Sequence, residues 1–210
     1  MVTDLKLEGV NPPVQKRSRA ALQRVLQAAT DVLRTEGADG FTIAAVAARS
    51  NTSVGGIYRR FTGKEQLLAA VKAQLLSQVD ERLEEQVAAE AADLRTAITV
   101  YTLAVASTVG AEYGTVIAEL LRGRNPELDD LGRGAMLNFA HRFDDALSTH
   151  RSEVVRSDAD QAIAAVRSTI ISACIHRAVS GQDAGDQRAW SEYGTRLADM
   201  SVLYLTTPEH

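Results

Sequence analysis

An all-α fold is predicted by three features of the sequence. Proline is scarce, with 4 among 210 residues, while the strong helix formers Ala, Leu, Arg, Glu and Gln are abundant. Apolar residues recur at three- and four-residue spacing in one segment after another, and no segment alternates with the period of a strand. Ser, Thr, Asp and Gly fall where those segments begin and end, as helix caps do. At this length the chain can hold one large or two small domains.

Residues 1–15 contain Gly9 and Pro12-Pro13 and show no period, which predicts a flexible arm. Lys16, Arg17 and Arg19 follow as a small basic cluster. It suits contact with phosphates or insertion into a minor groove, and equally the solubility of a chain terminus. The first helix runs from Ser18 to about Glu36, with Leu22, Val25, Leu26, Ala29, Val32 and Leu33 on one face. Gly37 and Gly40 end it.

Two short helices come next. Thr42 can cap one that reaches about Arg49 and turns Ile43, Val46 and Ala47 inward. Ser50-Asn51-Thr52 breaks the pattern, and Asn tolerates the left-handed backbone of a tight turn. Ser53 caps the other, which reaches about Arg60 with Ile57 and Phe61 inward. Two helices at such a turn make a helix-turn-helix, whose second helix enters the DNA major groove.

The outer side of that second helix fits this use. Val54, Gly55 and Gly56 are too small to hold the backbone away from base edges. Glycine costs about 1 kcal/mol against alanine inside a helix, so two in a row need a reason such as close approach. Tyr58, Arg59 and Arg60 can donate hydrogen bonds to phosphates. Lys64 opens the next helix, where the N–H groups and the dipole also attract an anion. Thr42 and Ser53 complete the set facing the phosphates.

Residues 41–68 resemble the DNA-binding domain of the tetracycline-repressor-like (TetR) transcription regulators. The likeness is carried by Thr42-Ile43, by Gly55-Gly56-Ile57-Tyr58-Arg59-Arg60-Phe61 and by Lys64-Glu65-Gln66-Leu67, and it extends from about Ser18 to Leu76. Asn51 replaces the usual turn glycine, and Gly56 stands where Thr, Ala or Ser is commoner. The resemblance implies an N-terminal three-helix DNA-binding domain, residues 16–63, and a larger helical ligand-binding and dimerisation domain, residues 64–210. It implies a homodimeric repressor on a palindromic operator, released from double-stranded DNA by a small, usually apolar effector bound in the body.

The body reads as helices throughout. One from Lys64 to about Glu85 turns Leu67, Leu68, Val71, Leu75 and Val79 inward, and one from Ala91 to Val109 carries Leu94, Ile98, Tyr101, Val105 and Val109. A short helix from Thr115 to Leu121 precedes a polar break at residues 122–126. The next runs from Glu127 to Thr149 with Met136, Phe139, Phe143 and Leu147 on one side. Ser157 or Asp158 caps the eighth, which reaches Ser180 with Ile163, Val166, Ile170 and Cys174 in a stripe. The last, from Asp186 to Leu205, shows Trp190, Tyr193, Leu197, Met200 and Tyr204.

Tyr101, Val105, Leu120, Met136, Phe139 and Phe143 are the candidate ligand-binding residues; plain hydrophobic core is the other reading of each. A second small-residue face on the eighth helix, Ala162, Ala165, Thr169, Ala173 and His176, needs burial too. With Trp190, Tyr193 and Leu197 of the last helix it can form half of a four-helix bundle with a second copy. Trp190 is an anchor of either the interface or the core.

Charge divides the chain. Residues 1–72 hold 11 Lys/Arg against 6 Asp/Glu, and the remainder 12 against 21, so the overall −4 conceals a basic first third. The single cysteine, Cys174, allows no internal disulfide and fits a reducing cytoplasm. No signal peptide and no run of about 18 apolar residues indicates secretion or a membrane span. His141, His150 and His176 are too scattered for a metal site, and no nucleotide or hydrolase fingerprint points to a cofactor or an enzyme. A helical interaction adaptor, or a small all-α enzyme without a recognisable catalytic motif, is the alternative.

Overall fold

The computed structural model describes residues 16–87, 91–122 and 126–208, without the side chains of residues 16, 17, 112, 121, 122 and 126–128. The arm expected over residues 1–15 lies outside the described residues, as do the side chains of Lys16 and Arg17. The order is α1 (Lys16–Gly40), α2 (Ile43–Ser50), α3 (Val54–Tyr58), α4 (Lys64–Val87), α5 (Leu94–Val105), α6 (Gly114–Arg122), α7 (Pro126–Leu147), α8 (Ala159–Val179) and α9 (Gln187–Thr206). A π-helical turn, Ala106–Glu112, continues α5, and a 3₁₀ turn, Ser148–Glu153, continues α7. No strand occurs among the described residues.

The chain forms two compact units, Met1–Ser77 with Glu119–Leu131, and Gln78–Ala118 with Gly132–His210. The division falls inside α4 and not at Lys64, because the first half of α4 buries its own face, Leu67, Val71 and Leu75. In the first unit α1 packs on α2 and α2 on α3. Val25, Ala29, Val32, Leu33, Val46, Ile57 and Phe61 are all buried there, as the spacing predicts, and Phe41 is buried with them. Within the α1 range Gly37 leaves the helical region, at φ 71° and ψ −178°. That is the left-handed backbone a glycine tolerates.

The second unit is built on α5 and α9, the most extensively packed pair of helices. Asp93, unnoticed in the sequence, caps α5 by accepting from the Thr96 N–H at 2.7 Å. Hydrogen bonds from the Thr96 side chain and from its N–H hold the Asp93 carboxyl below the usual range. Trp190 is fully buried within the core of this unit, and its indole N–H donates to the Asp183 carbonyl at 2.9 Å. Gly110 leaves the space for the ring: a Cβ there would stand 2.2 Å from Trp190 Cε3. The π-helical turn therefore sits where a tryptophan face replaces a side chain.

Leu94–Ala111 and Ala159–Val179 are, by length and composition, apolar enough to cross a membrane, with mean hydropathy of 1.2 and 1.3. Neither is an uninterrupted apolar run: Arg95 breaks the first, and Asp160, Arg167 and Arg177 break the second. The first is 61% buried inside the protein, as a core helix is, whereas α8 is only 39% buried and leaves one side uncovered.

Candidate nucleic-acid interface

Local capping builds the helix-turn-helix. Thr42 Oγ1 accepts from the Ala45 N–H at 3.1 Å and Ser53 Oγ from the Gly56 N–H at 3.0 Å, so both hydroxyls satisfy orphan donors. Each is used as an acceptor, and its O–H can still donate to a phosphate. Asn51 adopts the left-handed conformation, φ 52° and ψ 42°, and closes the turn as its residue type suggested. Gln66 adds a cap that the motif reading did not use, accepting from the Thr62 N–H at 2.6 Å just before α4.

The two glycines of α3 differ. Gly55 is exposed, and a Cβ built there meets nothing within 4 Å. Gly56 is buried, and its Cβ would lie 3.0 Å from Thr52 Cγ2 and 3.1 Å from Ser53 Oγ. The expectation that Gly56 faces bases is therefore corrected: its smallness serves the turn, whereas that of Gly55 serves the surface. Val54 and Tyr58 flank Gly55, 43% and 54% exposed, and an apolar valine left in water at a helix tip fits contact with a base edge.

The cations also separate. Arg19 and Arg59 are exposed. Arg60, just after α3, is half-buried and donates to Ser18 Oγ at 2.7 Å, tying this end of the helix-turn-helix to the start of α1. Lys64 is half-buried: its ammonium donates to the Ala38 carbonyl at 3.3 Å and lies 5.8 Å from the centre of the Phe41 ring.

In the second unit Tyr101, Val105, Phe139 and Phe143 are buried in one cluster, with half-buried Met136 packed against it. Tyr101 meets Phe143 edge to face at 4.9 Å and donates its hydroxyl to the Phe139 carbonyl at 2.8 Å. Burial holds the Tyr101 phenol above its usual range, so it stays a donor. The candidates on α5 and α7 thus converge, and Leu120 is buried in a segment of the first unit.

The interface residues need the largest correction. Ala165, Thr169 and His176 are exposed and Ala173 half-buried, but Ala162 faces its own core. On α9 Trp190 and Leu197 are buried within the protomer, and Tyr193 is half-buried beneath the Arg177 guanidinium, 4.4 Å away. The outward apolar residues are Met200, Leu203 and Tyr204, 65%, 60% and 42% exposed. Gly194, Ala198 and Ser201 let α9 press closely into its own unit, and small residues gave the hydrophobic pattern little weight. Cys174 is buried, and burial pushes its thiol up to about 12, which suits an inert core residue.

Residues 25–71 match the family model described as bacterial regulatory proteins, tetR family. Those residues are a tetR-family domain. The match covers α2, α3 and the turn between them, so the capped pair described above lies inside the matched domain. No curated protein matches the chain. Among solved structures, the fatty acid degradation regulator FadR of Bacillus halodurans is similar, with a TM-score of 0.68 at 15% identity over 87% of this chain and 94% of its own. FadR of Bacillus subtilis, solved in complex with stearoyl-CoA, gives 0.68 at 19% identity over 86% and 97%. A tetR-family regulatory protein of Rhodococcus gives 0.63 at 21% over 90% and 98%. At these identities the likeness is one of fold, and it extends the TetR-type architecture beyond the matched domain. The named relatives are regulators, not enzymes.

Proposed function

We propose that the protein is a cytoplasmic transcriptional repressor that binds a palindromic operator as a homodimer and leaves it when a small apolar ligand binds. The observation that carries this reading is the exposed tip of α3, where Val54, open Gly55 and Tyr58 lie exposed on a helix capped by Ser53. Val54 and Gly55 approach the bases. Thr42, Ser53, Tyr58, Arg59 and Lys64 position the protein on phosphates, with Arg19, Lys16 and Arg17 beside them.

One five-residue recognition helix reads too few base pairs alone. A dimer places two, about 34 Å apart, on successive turns of one DNA face. The uncovered side of α8 and the outward Met200, Leu203 and Tyr204 of α9 supply a surface for the second copy. The effector would enter the cluster of Tyr101, Val105, Met136, Phe139 and Phe143, which packs closely and must rearrange to admit it. A ligand preferring the DNA-incompetent arrangement by about 1–3 kcal/mol lowers operator affinity by about 5–150-fold. The Bacillus subtilis neighbour makes a long-chain acyl-CoA the first compound to try.

Selection of binding sites from random-sequence DNA tests this directly. The expected product is a two-fold-symmetric consensus with half-site centres about 10 base pairs, or one helical turn, apart. Enrichment of a single half-site, or of no sequence, contradicts the reading.

A further inference from the structure

The corner at Gly37, near the end of α1, is held from two directions within the first unit. At Gly37 the backbone turns left-handed and takes the next N–H out of the helical ladder. That N–H, of Ala38, donates to Glu119 Oε2 at 2.8 Å, 81 residues further along the chain. The same carboxylate oxygen stands 3.3 Å from where a Cβ on Gly37 would be, so it lies directly against the turn. The carbonyl of Ala38 in turn accepts from Lys64 Nζ at 3.3 Å. Ala38 is therefore pinned at its N–H by a residue of α6 and at its carbonyl by the first residue of α4.

We infer that Glu119 is a positioning residue for DNA binding: by fixing the Gly37–Ala38 corner it fixes the place of the Lys64 ammonium. The inference rests on the proposed function, in which Lys64 meets a phosphate. A charge-assisted bond from a backbone N–H to a carboxylate is among the stronger hydrogen bonds, and a glycine corner has little stiffness without it. Released, the corner no longer presents its carbonyl where Lys64 needs it, and the long lysine side chain recovers its rotamer freedom.

The sign of the effect separates this role from plain electrostatics. Removing a negative charge near DNA strengthens binding when charge alone matters, and alanine and glutamine then act alike. The positioning role predicts the reverse for Glu119→Ala: about five- to tenfold weaker binding to the DNA that the wild-type protein selects. The log–log salt slope becomes shallower by about 1 for each reading head. Glu119→Gln, which keeps an acceptor oxygen, restores most of the affinity. Amide exchange at Ala38 is faster in the alanine variant than in the glutamine variant. In a Lys64→Ala background the Glu119→Ala effect disappears. Should Glu119→Ala fail to fold, Glu119→Asp, which withdraws the carboxylate by one methylene, takes its place in the same comparison. Wild-type protein that binds no DNA overturns the proposed function itself. Wild-type binding with an alanine variant equal to it or tighter overturns this inference alone.

Discussion

Glu in place of Gly55 is expected to weaken DNA binding by about 100-fold while leaving thermal unfolding unchanged or slightly raised. The fold has room for it, since a Cβ at this position meets no atom within 4 Å. A glutamate is a better helix former than glycine by roughly 0.5–1 kcal/mol, and an acid in the first turn of a helix is favoured by the dipole. The surface does not tolerate it in the bound state. The new side chain sets a carboxylate between Val54 and Tyr58, on the side meant to approach base edges flanked by phosphates. In a dimer the penalty applies twice. Paired measurements of melting temperature and DNA affinity check the result, and a variant that melts normally and binds DNA as the parent does would remove α3 from the interface.

Trp190→Ala is expected to lower the unfolding free energy by about 3–5 kcal/mol, a large part of the 5–15 kcal/mol typical of a whole domain. The ring is fully buried, donates to the Asp183 carbonyl and lies 5.5 Å from the Arg177 guanidinium. Its removal leaves a cavity bounded by Gly110, while the Asp183 carbonyl keeps the Asp186 N–H at 3.0 Å. Gly110→Ala attacks the same contact from the other side, because the new methyl would overlap the ring at 2.2 Å, and overpacking costs about 1–3 kcal/mol or more. The two changes should couple strongly: with Trp190 gone, the Gly110→Ala penalty vanishes or reverses. Circular dichroism in urea is the measurement, since Trp190 is the single tryptophan and its loss removes the fluorescence signal. Equal costs for Gly110→Ala in both backgrounds would show that the ring does not fill the glycine's place.

Much of the first unit was legible in the sequence because its devices are local. Thr42, Asn51 and Ser53 each act within three or four residues of themselves, so residue type and spacing settle the cap and the turn. Gly56 was misread for a related reason: two adjacent glycines look alike in sequence, and only the packing of Thr52 and Ser53 separates a buried one from an open one. Arg60 and Glu119 escaped because their partners, Ser18 and Ala38, lie 42 and 81 residues away.

In the second unit the periodicity located the helices but misjudged which side of α9 faces inward. Large apolar residues drew the eye to Met200 and Tyr204, whereas Gly194, Ala198 and Ser201 do the close packing and carry little hydrophobic weight. The π-helical turn after α5 has no local signature either, since it follows from a tryptophan 80 residues further on.

The salt dependence of binding to a random-sequence duplex tests the central claim most directly, because it requires neither operator nor effector. Three described cations on each head, Arg19, Arg59 and Lys64, make six in a dimer. At about 0.9 per neutralised phosphate, log affinity plotted against log salt should fall with a slope of about −5, and steeper where Lys16 and Arg17 take part. A slope near zero, or no retardation of the duplex at about 50 mM salt, would contradict the account.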